Sequence, residues 1–459
     1  MASTRTRKEV TTQHGRSLLP EVQDALGRDP DRARELLLGV HPADIADLLL
    51  ELPDPESSAL FQALEGRDRV ESFEHLEPEQ QEALLERLGH RIMVQVLDDM
   101  SSDDRADLFK HMPEQMRETW LPLLAQAERN DVKRLIEFPE GCAGSVMSTE
   151  YASVRPTMTV SQALEHLRRV APKRETVYTV YVIDDERRLV GTISLLELIT
   201  CPPGRLVEEV MRRDPLAVHA DEDREDLART VAKYDFLAIP VVDSEDRLLG
   251  IVTHDDVIDV LEAEHDEDLQ LAAAIAPTEV PYTRSSMGLL FRKRIVWLLV
   301  LLIAGFLSSA VIAAFEASLE AVVALSFFIP VLIGSGGNTG SQSATLVIRA
   351  LATHDLQLRS WLYVLAKELG VGLLLGAALG AAMFLWSFLW PEARHIAPVV
   401  GLTMVVLVLW ANLIGGLMPL LLRKIGIDPA VASAPLITTL VDATGLLLYF
   451  TIAVLILGL

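Results

Sequence analysis

Ile295-Val-Trp-Leu-Leu-Val-Leu-Leu-Ile-Ala-Gly-Phe-Leu-Ser-Ser-Ala-Val-Ile-Ala-Ala-Phe315 carries no charge and follows directly on Arg292-Lys-Arg294. Coiled as a helix it rises about 30 Å, the thickness of a bilayer's hydrocarbon core. Four further runs of the same kind follow, over residues 321–348, 362–390, 396–422 and 432–459. Five such helices in series do not suit the core of a water-soluble protein, so residues 291–459 read as an α-helical transmembrane domain. Five crossings put the two chain ends on opposite faces. No apolar leader follows Arg5, Arg7 and Lys8, so the front half is expected to stay in the cytoplasm. That side then holds Arg292, Lys293, Arg294, Arg349, Arg359, Lys367, Arg423 and Lys424, against Arg394 alone outside, as basic residues distribute in inner or plasma membranes.

The rest of the 459-residue chain is a different material. From residue 291 onward there are seven acidic and nine basic side chains, which leaves 58 acidic and 32 basic before it, a net of about −26. So acidic a half excludes nucleic acid as a partner. It fits either a solvated surface or carboxylates gathered for a hard divalent cation. Cys142 and Cys201 are too few and too far apart for a disulfide framework or a structural zinc site. No P-loop, GxSxG elbow or HExxH pair is present, and the chain does not read as an enzyme.

Two membrane segments stand out. In the second, Pro330 precedes Gly334-Ser-Gly-Gly-Asn-Thr-Gly-Ser-Gln342. Close helix packing would use such small residues, and so would a pore-lining bend with Asn338, Ser341 and Gln342 facing water. In the fifth, Asp442 lies in an apolar run with Thr438 one turn before it and no basic residue in the segment. An acid there faces a polar pathway, where it favours cations, or is bonded in a structural role to Asn412 or Thr438.

Residues 1–19 read as a disordered tail and 20–136 as an all-α, solenoid-like domain of short helices broken at recurring prolines. Val40-His-Pro-Ala-Asp-Ile-Ala-Asp-Leu-Leu49, Leu76-Glu-Pro-Glu-Gln-Gln-Glu-Ala-Leu-Leu85 and Met100-Ser-Ser-Asp-Asp-Arg-Ala-Asp-Leu-Phe109 each read as a cap and an amphipathic helix. Asp103 and Asp107 stack on one face of the last of these. A duplication follows. Val146-Met-Ser-Thr and Tyr181-Val-Ile-Asp-Asp-Glu-Arg-Arg-Leu-Val-Gly-Thr-Ile-Ser194 recur as Val210-Met-Arg-Arg and Pro240-Val-Val-Asp-Ser-Glu-Asp-Arg-Leu-Leu-Gly-Ile-Val-Thr253, with extra residues near Ala171 to Glu175 in the first copy. Each copy reads helix, strand, charged turn, strand, helix. The repeat resembles a tandem pair of cystathionine-β-synthase-type (CBS) domains, α/β modules over 140–203 and 204–263. An acidic stretch, Asp255 to Asp268, then opens a connecting helix over 264–290.

This order of domains, together with Phe328-Ile-Pro-Val-Leu-Ile-Gly-Ser-Gly-Gly-Asn-Thr-Gly-Ser-Gln-Ser343 and Ala432-Ser-Ala-Pro-Leu-Ile-Thr-Thr-Leu-Val-Asp-Ala-Thr-Gly445, resembles the MgtE family of magnesium channels over nearly the full chain. The resemblance implies a homodimer in the lipid bilayer with one central pore, in which Asp442 receives hydrated Mg²⁺ beside the carbonyl of Thr438. Ala434 stands where many members have Asn. It further implies a cytoplasmic Mg²⁺ sensor that holds the pore shut. Its ligands would be Glu71, Asp103 and Asp107 of the helical domain, Asp223, Glu225 and Asp235 of the second CBS copy, and Asp256, Asp259, Glu264, Glu267 and Asp268 of the acidic helix. ATP bound between the CBS copies, as in family members, would have Asp184, Arg188, Phe236 and Pro240 as neighbours. Two other functions fit parts of the sequence. A secondary divalent-cation transporter would also use broken helices and an intramembrane acid, though no inverted repeat is evident. A membrane-tethered magnesium or nucleotide sensor would leave Asp442 unexplained.

Overall fold

The computed structural model describes residues 13–278, 280, 282, 285–353 and 355–458, in two compact units, Met1–Leu261 and Glu262–Leu459. The first unit opens with α1 (Gln13–Leu26) and α2 (Pro30–Leu37). Helix α1 therefore begins inside the expected tail, whose residues 1–12 lie outside the described ones. Eight short helices follow: α3 (Pro42–Glu51), α4 (Asp54–Ala63), α5 (Gly66–Glu74), α6 (Pro78–Arg87), α7 (His90–Asp99), α8 (Ser102–His111), α9 (Glu114–Trp120) and α10 (Gln126–Leu135). They start every twelve residues. At the phase where one helix gives way to the next stand Leu52, Leu64, Leu76, Leu88, Met100, Met112 and Leu124, all at most 5% exposed. At another phase, polar side chains reach back to the carbonyls left open at the end of the preceding helix. Ser57 Oγ donates to Leu49 O (2.8 Å), Gln81 Nε2 to Phe73 O (2.8 Å), Arg105 Nη1 to Met100 O (3.0 Å) and Arg129 Nη2 to Leu124 O (2.9 Å). Arg69 does the same for Leu64. Each of these five repeats is thus a turned helix stapled to its neighbour by one apolar and one polar residue.

The duplicated region holds β1 (Tyr151–Val154), α11 (Val160–Val170), β2 (Thr176–Ile183), β3 (Leu189–Ser194), α12 (Leu195–Thr200), α13 (Val207–Val210), β4 (Arg212–Arg213), β5 (Val218–His219), α14 (Arg224–Tyr234), β6 (Ala238–Val242) and β7 (Leu248–Thr253). In each copy a parallel pair feeds an antiparallel hairpin: β1 on β2 on β3, and β5 on β6 on β7. The two copies are interlocked. A side chain on Gly191 would strike Arg212 O at 2.8 Å, and one on Gly250 would strike Ser148 O at 2.6 Å. The repeated Val-Met segment that introduces each copy lies over the glycine of the other. Helix α15 (His254–Ala272) leaves the second copy and ends well short of the expected 264–290. Ala274 turns into the left-handed region at φ 57°, and Pro277 cannot extend a helix. Gln270 then holds Thr278 through both its amide atoms (3.2 and 2.8 Å).

The second unit contains α16 (Met287–Ala314), α17 (Glu316–Ala321), α18 (Ile329–Ala352), α19 (Trp361–Leu389), α20 (Ala397–Lys424) and α21 (Ala434–Leu457). Among the described residues, five spans are long and apolar enough to cross a membrane. Helix α18 runs unbroken through the glycine run. The interruption lies earlier, at Val322 and the 3₁₀ turn Val323–Phe328, and Pro330 occupies the first turn of α18, where proline is tolerated. The glycines serve contact instead. A Cβ on Gly337 would meet Thr438 at 2.8 Å, one on Gly340 Ile437 at 2.9 Å, and one on Gly415 the Gly340 carbonyl at 2.1 Å. Behind them Gly372, Gly376 and Gly380 let α19 ride against α20. Substituting Gly415→Ala should lower stability by about 3 kcal/mol or more, because backbone cannot yield as a side chain can. Gly305→Ala, with nothing within 4 Å, should be neutral or slightly stabilising. Thermal unfolding of both variants in detergent checks the contrast.

Candidate functional site

Carboxylates gather in two places, one in each unit. In the first unit, α8 begins with Asp103 and Asp104, and α15 begins with Asp255 and Asp256. Asp103 Oδ1 is buried without a hydrogen-bond partner. Its carboxyl is pushed well above the usual range by burial first, then by repulsion from Asp256, Asp104 and Glu175. Asp256 accepts from Thr253, yet burial and neighbouring acids hold it at about 7. Glu175 is pushed up to about 8 by loss of water around its carboxyl and by Asp256, Glu150, Asp104 and Glu74. Glu74, which accepts from Ser101 N (2.8 Å), is held at about 7 by burial and Asp104. Glu74 and Glu175 were absent from the sequence-derived set, and only the fold carries them to α8 and α15.

The other expected sensor residues are engaged locally. Glu71 pairs with Arg67, Asp107 with His111 Nδ1 (3.3 Å), and Glu225 with Arg229. Asp223 caps α14 by accepting from Glu225 N (2.7 Å), and Asp235 closes the same helix in the left-handed region. Asp259 lies one turn beyond Asp256 on α15. In the second unit, Glu264, Glu267 and Asp268 occupy the last turns of α15, and Asp268 is raised by burial and then by Asp428, Glu264 and Glu267. Among the described residues, no three His, Cys, Asp or Glu side chains already converge at metal-binding geometry. Of the nucleotide candidates, Asp184 accepts from the Glu186 and Arg188 amides (2.9 and 2.8 Å) and so shapes the first hairpin turn. Arg188 pairs with Glu186 (3.1 Å), Phe236 stacks on Tyr234 (centroids 5.6 Å apart), and Pro240 is buried in β6 opposite Ile251.

In the membrane unit, Asp442 stands two turns into α21 and one turn after Thr438. Its Oδ1 is buried without a hydrogen-bond partner. Thr438 Oγ1 lies 3.4 Å from Ser341 Oγ, which also reaches the Ala434 carbonyl (3.4 Å). Asn338 and Gln342 are exposed on the chain, on the same side of α18 as Ser341. Asn412, one of the two suggested partners of Asp442, turns elsewhere. Its Nδ2 donates to Glu368 Oε2 (2.6 Å) and to Glu368 O (3.0 Å). Glu368 was overlooked, although it too is an acid within an apolar helix.

Comparison with known proteins accords with this architecture. Residues 329–452 match the family model MgtE, a divalent cation transporter, residues 40–141 the MgtE intracellular N domain, and residues 143–203 and 207–263 the CBS domain. The chain is 42% identical to a magnesium transporter MgtE of Thermus thermophilus, over 95% of this chain and 98% of that one. It is 32% identical to a magnesium transporter MgtE of Bacillus subtilis, over 92% and 93%. The cytosolic domain of a Mg²⁺ channel MgtE in complex with ATP superposes with a TM-score of 0.51 at 39% identity, covering 53% of this chain and all of that one. The soluble part of a magnesium transporter gives 0.52 at 31%, covering 55% and 99%.

A pH dependence follows from the first-unit acids. Their folded pKa values lie above the unfolded ones, so between about pH 4 and 8 the folded chain binds more protons than the unfolded chain. The stability they contribute is present below the unfolded values and is lost as pH rises through 7 to 8. With divalent cations chelated, Tm for the first unit should fall on the order of 5 °C from pH 6 to pH 8.5. Asp256→Asn should flatten that fall in a calorimetric scan.

Proposed function

The chain belongs to the MgtE family of magnesium transporters, and from that premise we propose that it is a Mg²⁺-selective channel importing the ion, gated shut by cytoplasmic Mg²⁺. It is a multi-pass inner-membrane protein whose N-terminal domains are cytoplasmic. The observation that carries the channel reading is the buried, unpartnered Asp442 oxygen one turn from Thr438 in an otherwise apolar helix. Mg²⁺ sheds water reluctantly and is commonly held by one or two carboxylates through retained waters. A homodimer would present Asp442 twice about its axis. That suits a hydrated cation, which is attracted by charge and released because no rigid cage strips it.

Gating is read from the acids of the first unit and α15. Asp103, Asp256, Glu175 and Glu74 are raised first by burial and then by neighbouring acids, an environment that repels further negative charge when Mg²⁺ is scarce. Mg²⁺ bound among Glu71, Asp103, Asp107, Asp223, Glu225, Asp235, Asp256, Asp259, Glu264, Glu267 and Asp268 would offset that repulsion and favour a compact, closed state. ATP, which a 39%-identical cytosolic domain carries, would bind at the CBS pair near Asp184, Arg188, Phe236 and Pro240 and modulate the same equilibrium.

Mg²⁺ flux into liposomes, with single-channel recording in pure bilayers, tests the channel against a coupled transporter. Asp442→Ala should fold and dimerise but carry at least about tenfold less Mg²⁺, whereas Asp442→Glu should keep part of the flux. Normal flux through the alanine variant would remove Asp442 from the pathway. Replacing Asp256, Asp259, Glu264, Glu267 and Asp268 with Asn or Gln should leave the pore conducting at high cytoplasmic Mg²⁺, because amides bind this ion poorly. Protease protection that rises with Mg²⁺ in the wild type should stay flat in that variant.

A further inference from the structure

Three helices of the membrane unit meet at Glu368. Its Oε2 accepts from Asn412 Nδ2 of α20 at 2.6 Å and lies 2.9 Å from Ser343 Oγ of α18. Ser343 Oγ is also 3.1 Å from Asn412 O, and Asn412 Nδ2 is 3.0 Å from Glu368 O. Ser343 and Asn412 are at most 3% exposed. Two glycines leave the room for this knot. A Cβ on Gly416 would come within 2.7 Å of the Glu368 Cγ, and one on Gly372 within 3.2 Å of the Asn412 Cβ. Lys367, next in the chain, sits instead over the Tyr363 ring at 5.7 Å. The carboxyl is therefore held by neutral donors from two other helices.

The placement on α18 gives the knot its consequence. Ser343 is two residues from Ser341, roughly 200° around the helix. Ser341 and Gly337 face Thr438 of α21, while Ser343 faces Glu368. Helix α18 is thus fastened on one side to α19 and α20 and pressed on the other against the turn of α21 that carries Thr438 and Asp442.

We propose that Glu368 is a positioning residue for ion passage, clamping α18 to α20 through Ser343 and Asn412 and thereby setting how the polar face of α18 meets the Thr438–Asp442 turn. The proposal rests on the reading that this turn lies on the Mg²⁺ pathway. It separates two roles for an intramembrane acid. Asp442 acts through its charge, whereas Glu368 acts through its hydrogen bonds, which a carboxamide of the same shape can supply.

The experiment compares wild type, Glu368→Gln, Glu368→Ala, Ser343→Ala and Asp442→Asn as full-length protein in liposomes, reading Mg²⁺ flux per folded molecule and the ratio of Mg²⁺ to Ca²⁺ flux. Glu368→Gln should stay within about twofold of wild type in both, while Glu368→Ala should lose about tenfold in Mg²⁺ flux and change the ion ratio, the scale expected for a displaced site. Ser343→Ala should change the ratio in the same direction by a smaller factor, and it decides the question should Glu368→Ala not be recovered folded. A Glu368→Gln variant as impaired as Asp442→Asn would mean that the charge acts on the ion and would overturn the clamp. An unchanged ion ratio in Glu368→Ala or Ser343→Ala would overturn it too. A wild type without Mg²⁺ flux would instead defeat the transport reading on which the proposal stands.

Discussion

At the crossing of α18 and α20, the Gly340 carbonyl lies so near Gly415 that a single added carbon would overlap it. Lipid tails are as apolar as leucine, so two helices in a bilayer gain little by hiding apolar side chains from them. They gain by dispersion and by hydrogen bonds, and both require backbones to approach. The small residues of α18 meet that requirement toward α21 at Gly337 and toward both α20 and α21 at Gly336 and Gly340. Once those contacts are made, the polar groups have few choices. Ser341 falls beside Thr438, and Ser343 falls beside Glu368 and Asn412.

The five spans were legible because an uninterrupted apolar run has one reading at bilayer length. The duplication was legible because its hairpins repeat almost residue for residue, and the structure adds why Gly191 and Gly250 repeat with them. Asp442 was legible because burying a lone carboxylate in hydrocarbon needs a reason. By that same logic Glu368 could have been found. Only the fold reveals that its side chain and that of its neighbour Lys367 part company.

Other features were hidden for definite reasons. Sequence cannot tell whether a glycine is present for its backbone freedom or for its missing side chain. The run from Gly334 to Gly340 therefore fitted either a bend or a tight contact, and the helix runs through it unbroken. The twelve-residue period of α3 to α10 was obscured by its prolines, which mark only some of the helix starts. The apolar position at 52, 64, 76, 88, 100, 112 and 124 carries the period, but its leucines and methionines are too common to stand out. Its polar counterpart changes from serine to arginine to glutamine while doing one job. Glu74 and Glu175 stand far apart in sequence, and no local pattern announces that burial and repulsion act on them together.

The interlock of the duplicated halves bears on how the chain comes off the ribosome. The short helices from α3 to α10 pack mainly against the next helix but one, so each can settle once the following two have emerged. The duplicated region has no such freedom. Its first lead-in finds its partner strand only when Ile251 arrives, since Ser148 bridges that residue (2.8 Å in both directions). About a hundred residues must be in hand before the first half can close. Chain order therefore supplies the short helices first and the mutual closure of the two halves later. Every residue that closure needs precedes the first membrane helix in the chain.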